Sequence, residues 1–236
     1  MSHELIILTI TAASIGLIHT LIGPDHYLPF IVLAKARNWS VLRTTVITFL
    51  CGLGHVASSV ILGLVGISLG LTLAKLELTE SYRGEIAAWL LTAFGLLYLV
   101  WGLRRAFCNR PHTHIHAHTP DLAHSHEHGH EKEHIHPHTV SGKKKLTPWV
   151  LFIIFFLGPC EPLIPILMYP AAAQSLPAVL MVATVFALVT IGTMMAVVLT
   201  SSFLIDLLPS RHLARYSHAL AGAAIFMCGL AIHLGL

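Results

Sequence analysis

The sequence predicts an all-α integral membrane protein with six transmembrane helices. Of its 236 residues, 55% are hydrophobic and only 11% are charged, a balance far from that of soluble globular domains. About 20 apolar residues are needed to cross a bilayer as a helix. Apolar segments of at least about that length recur at residues 5–33, 44–73, 86–103, 148–170, 178–205 and 214–235. No separate soluble domain is expected.

The first and fourth spans are predicted to be broken helices. The first contains Gly23-Pro24, and the fourth contains three prolines beginning at Pro159. Proline removes a backbone hydrogen bond and kinks a helix, and such breaks persist at membrane depth only beside a cavity or packed protein. Ligand-type side chains follow each break at once, as Asp25-His26 and as Cys160-Glu161. We therefore expect the two breaks to line one site.

The two breaks also indicate an internal repeat. An offset of 135 residues places Gly23-Pro24-Asp25 on Gly158-Pro159-Cys160. Three helices in each half is an odd number, so the halves must be inverted across the membrane, with the site between them. The predicted organisation is a first three-helix repeat at 1–103, a loop at 104–147 and a second three-helix repeat at 148–236.

Basic residues predict the orientation of the chain. In the six-helix topology, 12 of the 14 lysines and arginines fall in the first, third and fifth connections. Cytoplasmic loops carry this excess, so both termini are expected outside and the third loop in the cytoplasm, with the chain in the inner or plasma membrane. Because this asymmetry explains the net charge of +3, no nucleic-acid partner is expected.

The third loop is rich in histidine. Eleven of the 18 histidines alternate there with small or acidic residues, a pattern typical of a flexible metal chelator for nickel, cobalt, copper or zinc. With few apolar residues to bury, the loop is expected to be disordered without metal. A solvated loop with histidines of no function is the alternative. The predicted ligands are His112, His114, His116, His118, His124, His126, His128, His130, His134, His136 and His138.

A second metal site is predicted within the membrane. His19, Asp25 and His26 flank the first break, and His55 lies in the second span beside small residues that allow close helix packing. Nitrogen and oxygen donors in this number suit nickel, cobalt or zinc, whereas one such histidine alone is more simply a hydrogen-bonded group inside the bundle. In the second half, Cys160 and Glu161 are predicted to complete the metal site as ligands or to gate it.

These motifs resemble the nickel/cobalt transporter superfamily. The signatures of its hydrogenase- and urease-associated nickel permeases are similar to His19-x5-Asp25-His26 and Gly52-Leu-Gly54-His55. The histidine-rich loop is similar to the loop found in the efflux branch of the superfamily. The resemblance implies ligation of nickel or cobalt by His19, Asp25, His26 and His55. The function predicted is transport of nickel or cobalt, or alternatively zinc, by alternating access around this site, without a prosthetic group. Partners would be the bilayer and a cytoplasmic metallochaperone or metalloenzyme maturation protein.

Two other functions remain open at the level of sequence. One is a metal-binding membrane sensor or accessory protein that does not move the ion. The other is a thiol-disulfide electron carrier, because Gly158-Pro159-Cys160-Glu161-Pro162 also resembles the membrane electron carriers of cytochrome c maturation, which have a Pro-Cys in each half. Here Asp25 stands where the second thiol would lie. No nucleotide or hydrolase motif is present, so no enzymatic activity is expected.

Overall fold

The computed structural model describes residues 3–108, 112–117, 123–128, 146–160, 162–172, 175–207 and 214–235. Before the histidine-rich loop the helices are α1 His3–Ile22, α2 Leu28–Ala36, α3 Val41–Ser68 and α4 Leu73–Cys108. After it they are α5 Leu146–Leu157, α6 Leu163–Ala172, α7 Leu176–Leu207 and α8 Ser217–His233. Single 3-10 turns cover Pro24–His26 and Ala214–Tyr216.

The helices form a multi-pass membrane protein. Within the described part of the chain, four helices are long and apolar enough to cross a bilayer, at His3–Ile22, Val41–Ser68, Leu73–Cys108 and Leu176–Ile205. The shorter apolar helices Thr147–Leu157 and Ser217–His233 accompany them. Many large apolar side chains point outward, and Leu97, for example, is 70% exposed. An apolar surface of this extent fits lipid rather than water, and it confirms the predicted all-α membrane class.

Helical structure is interrupted at the two predicted places. The last helical bond before the first break runs from the Gly23 amide to the carbonyl of His19, at 3.1 Å. Pro24 has no amide hydrogen, so the chain turns through one 3-10 turn before α2 begins. In the second half, the Gly158 amide donates to the carbonyl of Ile154 at 2.9 Å. Pro159 then ends the pattern, and α6 begins at Leu163.

Helix α4 is longer than the sequence predicts. The apolar span was expected at 86–103, with Lys75 and Arg83 in an outer connection, whereas α4 is helical from Leu73. Its first turns contain the residues Leu-Ala-Lys-Leu-Glu-Leu, which are strong helix formers but too charged to register as a membrane span. The preceding connection is therefore short, and Arg83 is a helical residue.

Helices α4 and α8 make the most extensive contact in the described chain. A Cβ added at Gly222 would fall against the backbone of Leu99, and one at Gly95 would fall against the backbone of Phe226. Glycine at these positions therefore lets the two backbones touch directly, as small residues do between membrane helices. Helix α2 packs on α8 and α7, α1 runs along α7, and α3 contacts α5 and α7.

Two segments of the histidine-rich loop pair as antiparallel strands, β1 His112–Ala117 and β2 Ala123–His128. The sequence predicted disorder for this loop. Alternation with a period of two is also the repeat of a β-strand, which accounts for the difference. The register pairs histidine positions with one another across the hairpin: His112 with His128, His114 with His126, and His116 with His124.

Candidate metal centre

The first helix break builds one side of the candidate site. A Cβ at Gly23 would meet Nδ1 of His26 at 2.6 Å and Oδ1 of Asp25 at 2.8 Å, distances that packed atoms do not tolerate. Only glycine therefore leaves room for both side chains to fold back over the turn. The break thus serves to place His26 in the interior, where it is only 3% exposed.

Nδ1 of His26 is occupied by two oxygen acceptors. It lies 3.2 Å from the carbonyl of Gly23 and 3.2 Å from Oδ1 of Asp25. Because neither oxygen can donate, Nδ1 carries the proton, and in the neutral ring Nε2 carries the lone pair. A carboxylate on the far nitrogen of a histidine is a common arrangement around metal ligands, where it fixes the tautomer and orientation.

His55 reaches the same place from the middle of α3. Its ring is 3% exposed, and Nδ1 donates to the carbonyl of Phe155, at the end of α5, over 3.3 Å. The proton is again on Nδ1, so Nε2 is the available donor atom for a metal. The backbone carbonyl of His55 accepts a hydrogen bond of 2.8 Å from the hydroxyl of Ser58.

His19, from the last turn of α1, completes a cluster of three imidazoles. The ring centroids of His19 and His26 are 4.7 Å apart, and those of His26 and His55 are 5.0 Å apart, each pair nearly perpendicular. One ligand nitrogen from each ring lies within 4.8 Å of the other two. Among the described residues, the buried Nε2 atoms of all three rings have no hydrogen-bond partner.

Three unpartnered nitrogens in an apolar interior are unfavourable unless something binds them. An unsatisfied buried polar group costs roughly 1–3 kcal/mol, and here three converge on one point. A transition-metal ion held at about 2.0–2.1 Å from each imidazole would satisfy all three, with a small inward movement of the rings. The arrangement therefore fits a metal ion.

The cluster lines a cavity of about 540 Å³ between the two helix breaks. Asp25 lines the cavity from the first break, and the second break lines it with Gly158, Pro159 and Pro162. Most of the remaining wall is apolar, with Leu91 of α4 among the side chains. The two breaks therefore meet at one cavity, as the sequence predicts.

In the second half, the structure places Cys160 differently from the ligand or gating position that the sequence predicts. Cys160 is fully buried in a separate apolar cluster with Leu163 and Phe186, and its amide donates to the hydroxyl of Ser59 at 3.2 Å. Within the described chain, the residues that line the cavity include its neighbours Gly158 and Pro159 but not Cys160 itself. Glu161 lies outside the described residues.

The structure describes only some of the histidines of the loop. His112, His114, His116, His124, His126 and His128 belong to the paired strands. Outside the described residues lie His118, His130, His134, His136 and His138. Metal capture by the loop therefore stays a prediction.

A partner thiol for Cys160 is not provided by Cys51. Cys51 is eight residues from Ser59 on the same helix, a rise of about 12 Å, and Ser59 is the residue that Cys160 contacts. A disulfide needs Cα atoms within about 7 Å of each other. Cys51 and Cys160 both lie in the described part of the chain, and no disulfide joins them.

Arg83 is a residue of the site's surroundings that sequence reasoning missed. Its guanidinium donates to Glu80, to Ser58 and to the carbonyl of Phe156. The signal in the sequence was a glutamate three residues before an arginine, the spacing of an ion pair on a helix, at the edge of an apolar span.

Comparison with known proteins gives one family. The family described as "Cytochrome C biogenesis protein transmembrane region" matches residues 28–231. This range begins directly after the first break, so His55 and Cys160 lie within it and His19, Asp25 and His26 precede it. No curated protein and no solved structure matches the chain.

This match overturns the function predicted from the short motifs. The resemblance to the nickel/cobalt transporter superfamily is wrong, and with it the predicted transport of nickel or cobalt ions, because the match covers most of the chain and is to another family. Ligand-type residues beside a helix break show that donors are available. They do not show what the protein does with a bound ion. The other resemblance, to the membrane electron carriers of cytochrome c maturation, is the one that the match supports.

Proposed function

Because this chain belongs to the cytochrome c biogenesis transmembrane family, we propose that it carries reducing equivalents in the membrane. The electron-carrying group would be a copper ion held by His19, His26 and His55. In this proposal the metal takes the place of the thiol pair that the electron carriers of the family use. Asp25, which stands where the second Pro-Cys thiol would be, orients His26 instead.

The observation that carries the proposal is the common orientation of the imidazoles. His26 and His55 each use Nδ1 to donate to an oxygen, the first to Asp25 and Gly23 and the second to Phe155. Both Nε2 atoms, together with Nε2 of His19, are buried and have no hydrogen-bond partner in the part of the chain that the structure describes. A hydrogen-bonded structural role would leave such atoms paired, whereas a metal site requires them as they are.

Copper fits both the ligands and the family better than other metals. Three neutral nitrogens suit copper and zinc, and among divalent ions of the first row copper binds such sites most strongly. Zinc has no redox chemistry. Because the family transfers electrons, the ion expected in this site is one that changes its oxidation state.

The electron balance requires a dithiol donor and a disulfide acceptor. A copper ion held by His19, His26 and His55 would supply one-electron redox chemistry. A dithiol gives up two electrons and two protons when it becomes a disulfide, and a second disulfide takes up two electrons and two protons when it becomes a dithiol. A single one-electron centre would therefore serve twice for each dithiol that is oxidised.

The proposed topology is the six-span arrangement with inverted halves at 1–103 and 148–236. Both termini would lie outside the plasma or inner membrane, with the 104–147 loop in the cytoplasm, in keeping with the distribution of basic residues. The histidine-rich loop would collect metal for the membrane centre and receive it from a soluble metal carrier. The partners would thus be a metal ion, a metallochaperone and dithiol proteins.

The test uses the full chain in lipid nanodiscs. Copper content, the Cu(II) electron paramagnetic resonance (EPR) spectrum and reduction by dithiothreitol are compared for the unaltered protein, His55→Ala and His3→Ala. His3 is an exposed histidine of α1 and is the matched control. We expect His55→Ala to lose one copper per chain and the membrane-site component of the nitrogen-ligated spectrum, while any signal from the histidine-rich loop stays and His3→Ala keeps both. Copper that binds but is not reduced by the dithiol would refute electron carriage and leave only a metal-holding role.

A second candidate function is thiol-disulfide exchange by Cys160. It is favoured by one observation, the position of Cys160 directly after Pro159 at the break within the matched range. Reconstituted vesicles containing a trapped disulfide separate the two candidates. If copper carries the electrons, Cys160→Ser transfers them at the rate of the unaltered protein, whereas loss of transfer with copper retained would favour the thiol.

A further inference from the structure

The end of α5 is held from two sides beside the cavity. The last turn of a helix leaves carbonyl groups without helical partners, and these carry partial negative charge. Here the carbonyl of Phe155 accepts from His55 at 3.3 Å as well as from the Gly158 amide at 3.2 Å, and the carbonyl of Phe156 accepts from Nη2 of Arg83 at 3.0 Å. The same guanidinium nitrogen lies 3.5 Å from the carbonyl of Gly158.

Arg83 also reaches His55 along α3. Its Nη2 donates to the hydroxyl of Ser58 at 2.7 Å, and that hydroxyl donates to the backbone carbonyl of His55 at 2.8 Å. The other terminal nitrogen, Nη1, is fixed by Oε1 of Glu80 at 2.7 Å. The Glu80 side chain is 2% exposed and that of Arg83 is 18% exposed, so this ion pair is largely shielded from solvent.

From this geometry we propose that Arg83 is a positioning residue for the copper centre. By holding Phe156 and Ser58 at once, it fixes the α5 turn that accepts the Nδ1 proton of His55. That hydrogen bond keeps Nε2 of His55 directed at His26 and His19. The proposal rests on the proposed function for the identity of the metal, but the hydrogen bonds that carry it do not involve the metal.

The chain offers a matched control in Arg215. Arg215 also donates to a carbonyl in the last turn of a helix, that of Ala106 in α4, through Nε at 2.8 Å. It contacts none of the three histidines and does not line the cavity between the breaks. Loss of either arginine removes a guanidinium from a helix end, but only Arg83 is connected to His55.

The experiment compares Arg83→Gln, Arg83→Lys and Arg215→Gln in nanodiscs, after circular dichroism confirms equal helicity. Loss of a group that orients a ligand typically costs about 10- to 100-fold in metal affinity. We expect that loss for Arg83→Gln, with a changed Cu(II) EPR spectrum, partial recovery in Arg83→Lys, and affinity within about twofold of the unaltered protein for Arg215→Gln. Unchanged affinity and spectrum in Arg83→Gln, or equal losses in both glutamine variants, would overturn the proposal.

A second measurement is independent of copper. In metal-free protein, amide hydrogen exchange at residues 154–158 is expected to be faster in Arg83→Gln than in Arg215→Gln. If the unaltered protein binds no copper, the proposed function fails, and this exchange alone decides whether Arg83 holds the α5 end beside His55. Equal exchange in the two variants would refute that role.

Discussion

Gly23→Ala is expected to disable the metal centre without unfolding the protein. The new methyl group would lie 2.6 Å from Nδ1 of His26 and 2.8 Å from Oδ1 of Asp25. Carbon atoms in proteins essentially never come within 3.0 Å of such neighbours, so the His26 ring must move by at least about 0.4 Å. Metal ligands are held to about ±0.2 Å. The methyl group therefore occupies space beside the ring, and His26 would have to reach the ion from a displaced position.

The fold is expected to absorb this change. The atoms that clash belong to side chains, and the φ of −81° at Gly23 suits alanine. The two side chains therefore move while the backbone stays. We expect copper affinity to fall by about 10- to 100-fold, as for the loss of an orienting partner, with the thermal unfolding midpoint little changed.

Gly192→Ala is the matched control for this variant. A Cβ at Gly192, within α7, meets nothing within 4 Å, so the substitution adds a methyl group without a clash and favours the helix by about 1 kcal/mol. Copper affinity is measured for both variants by competition with a chelator of known affinity. The reasoning is refuted if Gly23→Ala binds copper as tightly as Gly192→Ala and gives the same EPR spectrum.

Two further predictions concern the surroundings of the centre. Asp25→Asn keeps an oxygen near Nδ1 of His26 but removes the negative charge of the carboxylate, so copper affinity should drop by about 10- to 100-fold. If competition with a chelator gives the affinity of the unaltered protein, the carboxylate does not orient the ring. Deletion of residues 109–145 should leave one copper per chain, measured by elemental analysis, and an unchanged membrane-site EPR spectrum. The reason is that the three imidazoles lie on α1, on α3 and on the turn between α1 and α2. Loss of that last copper would place the principal site in the loop.

The helix breaks and the meeting of the histidines were predictable from the sequence. Proline and glycine at 23–24 and 158–159 act locally, so their effect on a helix can be read without knowledge of the rest of the fold. His19, His26 and His55 could be grouped because isolated polar groups in an apolar bundle are unfavourable. The direction of the side chain after each break was not predictable, since it depends on backbone torsion angles that the sequence leaves open. His26 faces the cavity, whereas Cys160 packs into a separate apolar cluster.

The start of α4 and the role of Arg83 were missed, and the family was only an alternative to the main prediction, for different reasons. Charged residues near Lys75 hid a helix because hydropathy measures lipid compatibility rather than helix formation. The Arg83 contacts join residues distant in sequence, to Ser58 on one side and Phe156 on the other. The family was mistaken because four ligand-type residues were weighed above the pattern of the whole chain, which matches over 28–231.

Helices α4 and α8 touch through glycines, so sliding one past the other would drive backbone into backbone at Gly95 and Gly222. We therefore expect the two helices to move together as one rigid unit in the membrane. The helix interruptions at Gly23 and Gly158 lie beside His26 and beside the Phe155 carbonyl that accepts from His55. A movement at either interruption would therefore change the positions of the ligand nitrogens together with the opening of the cavity.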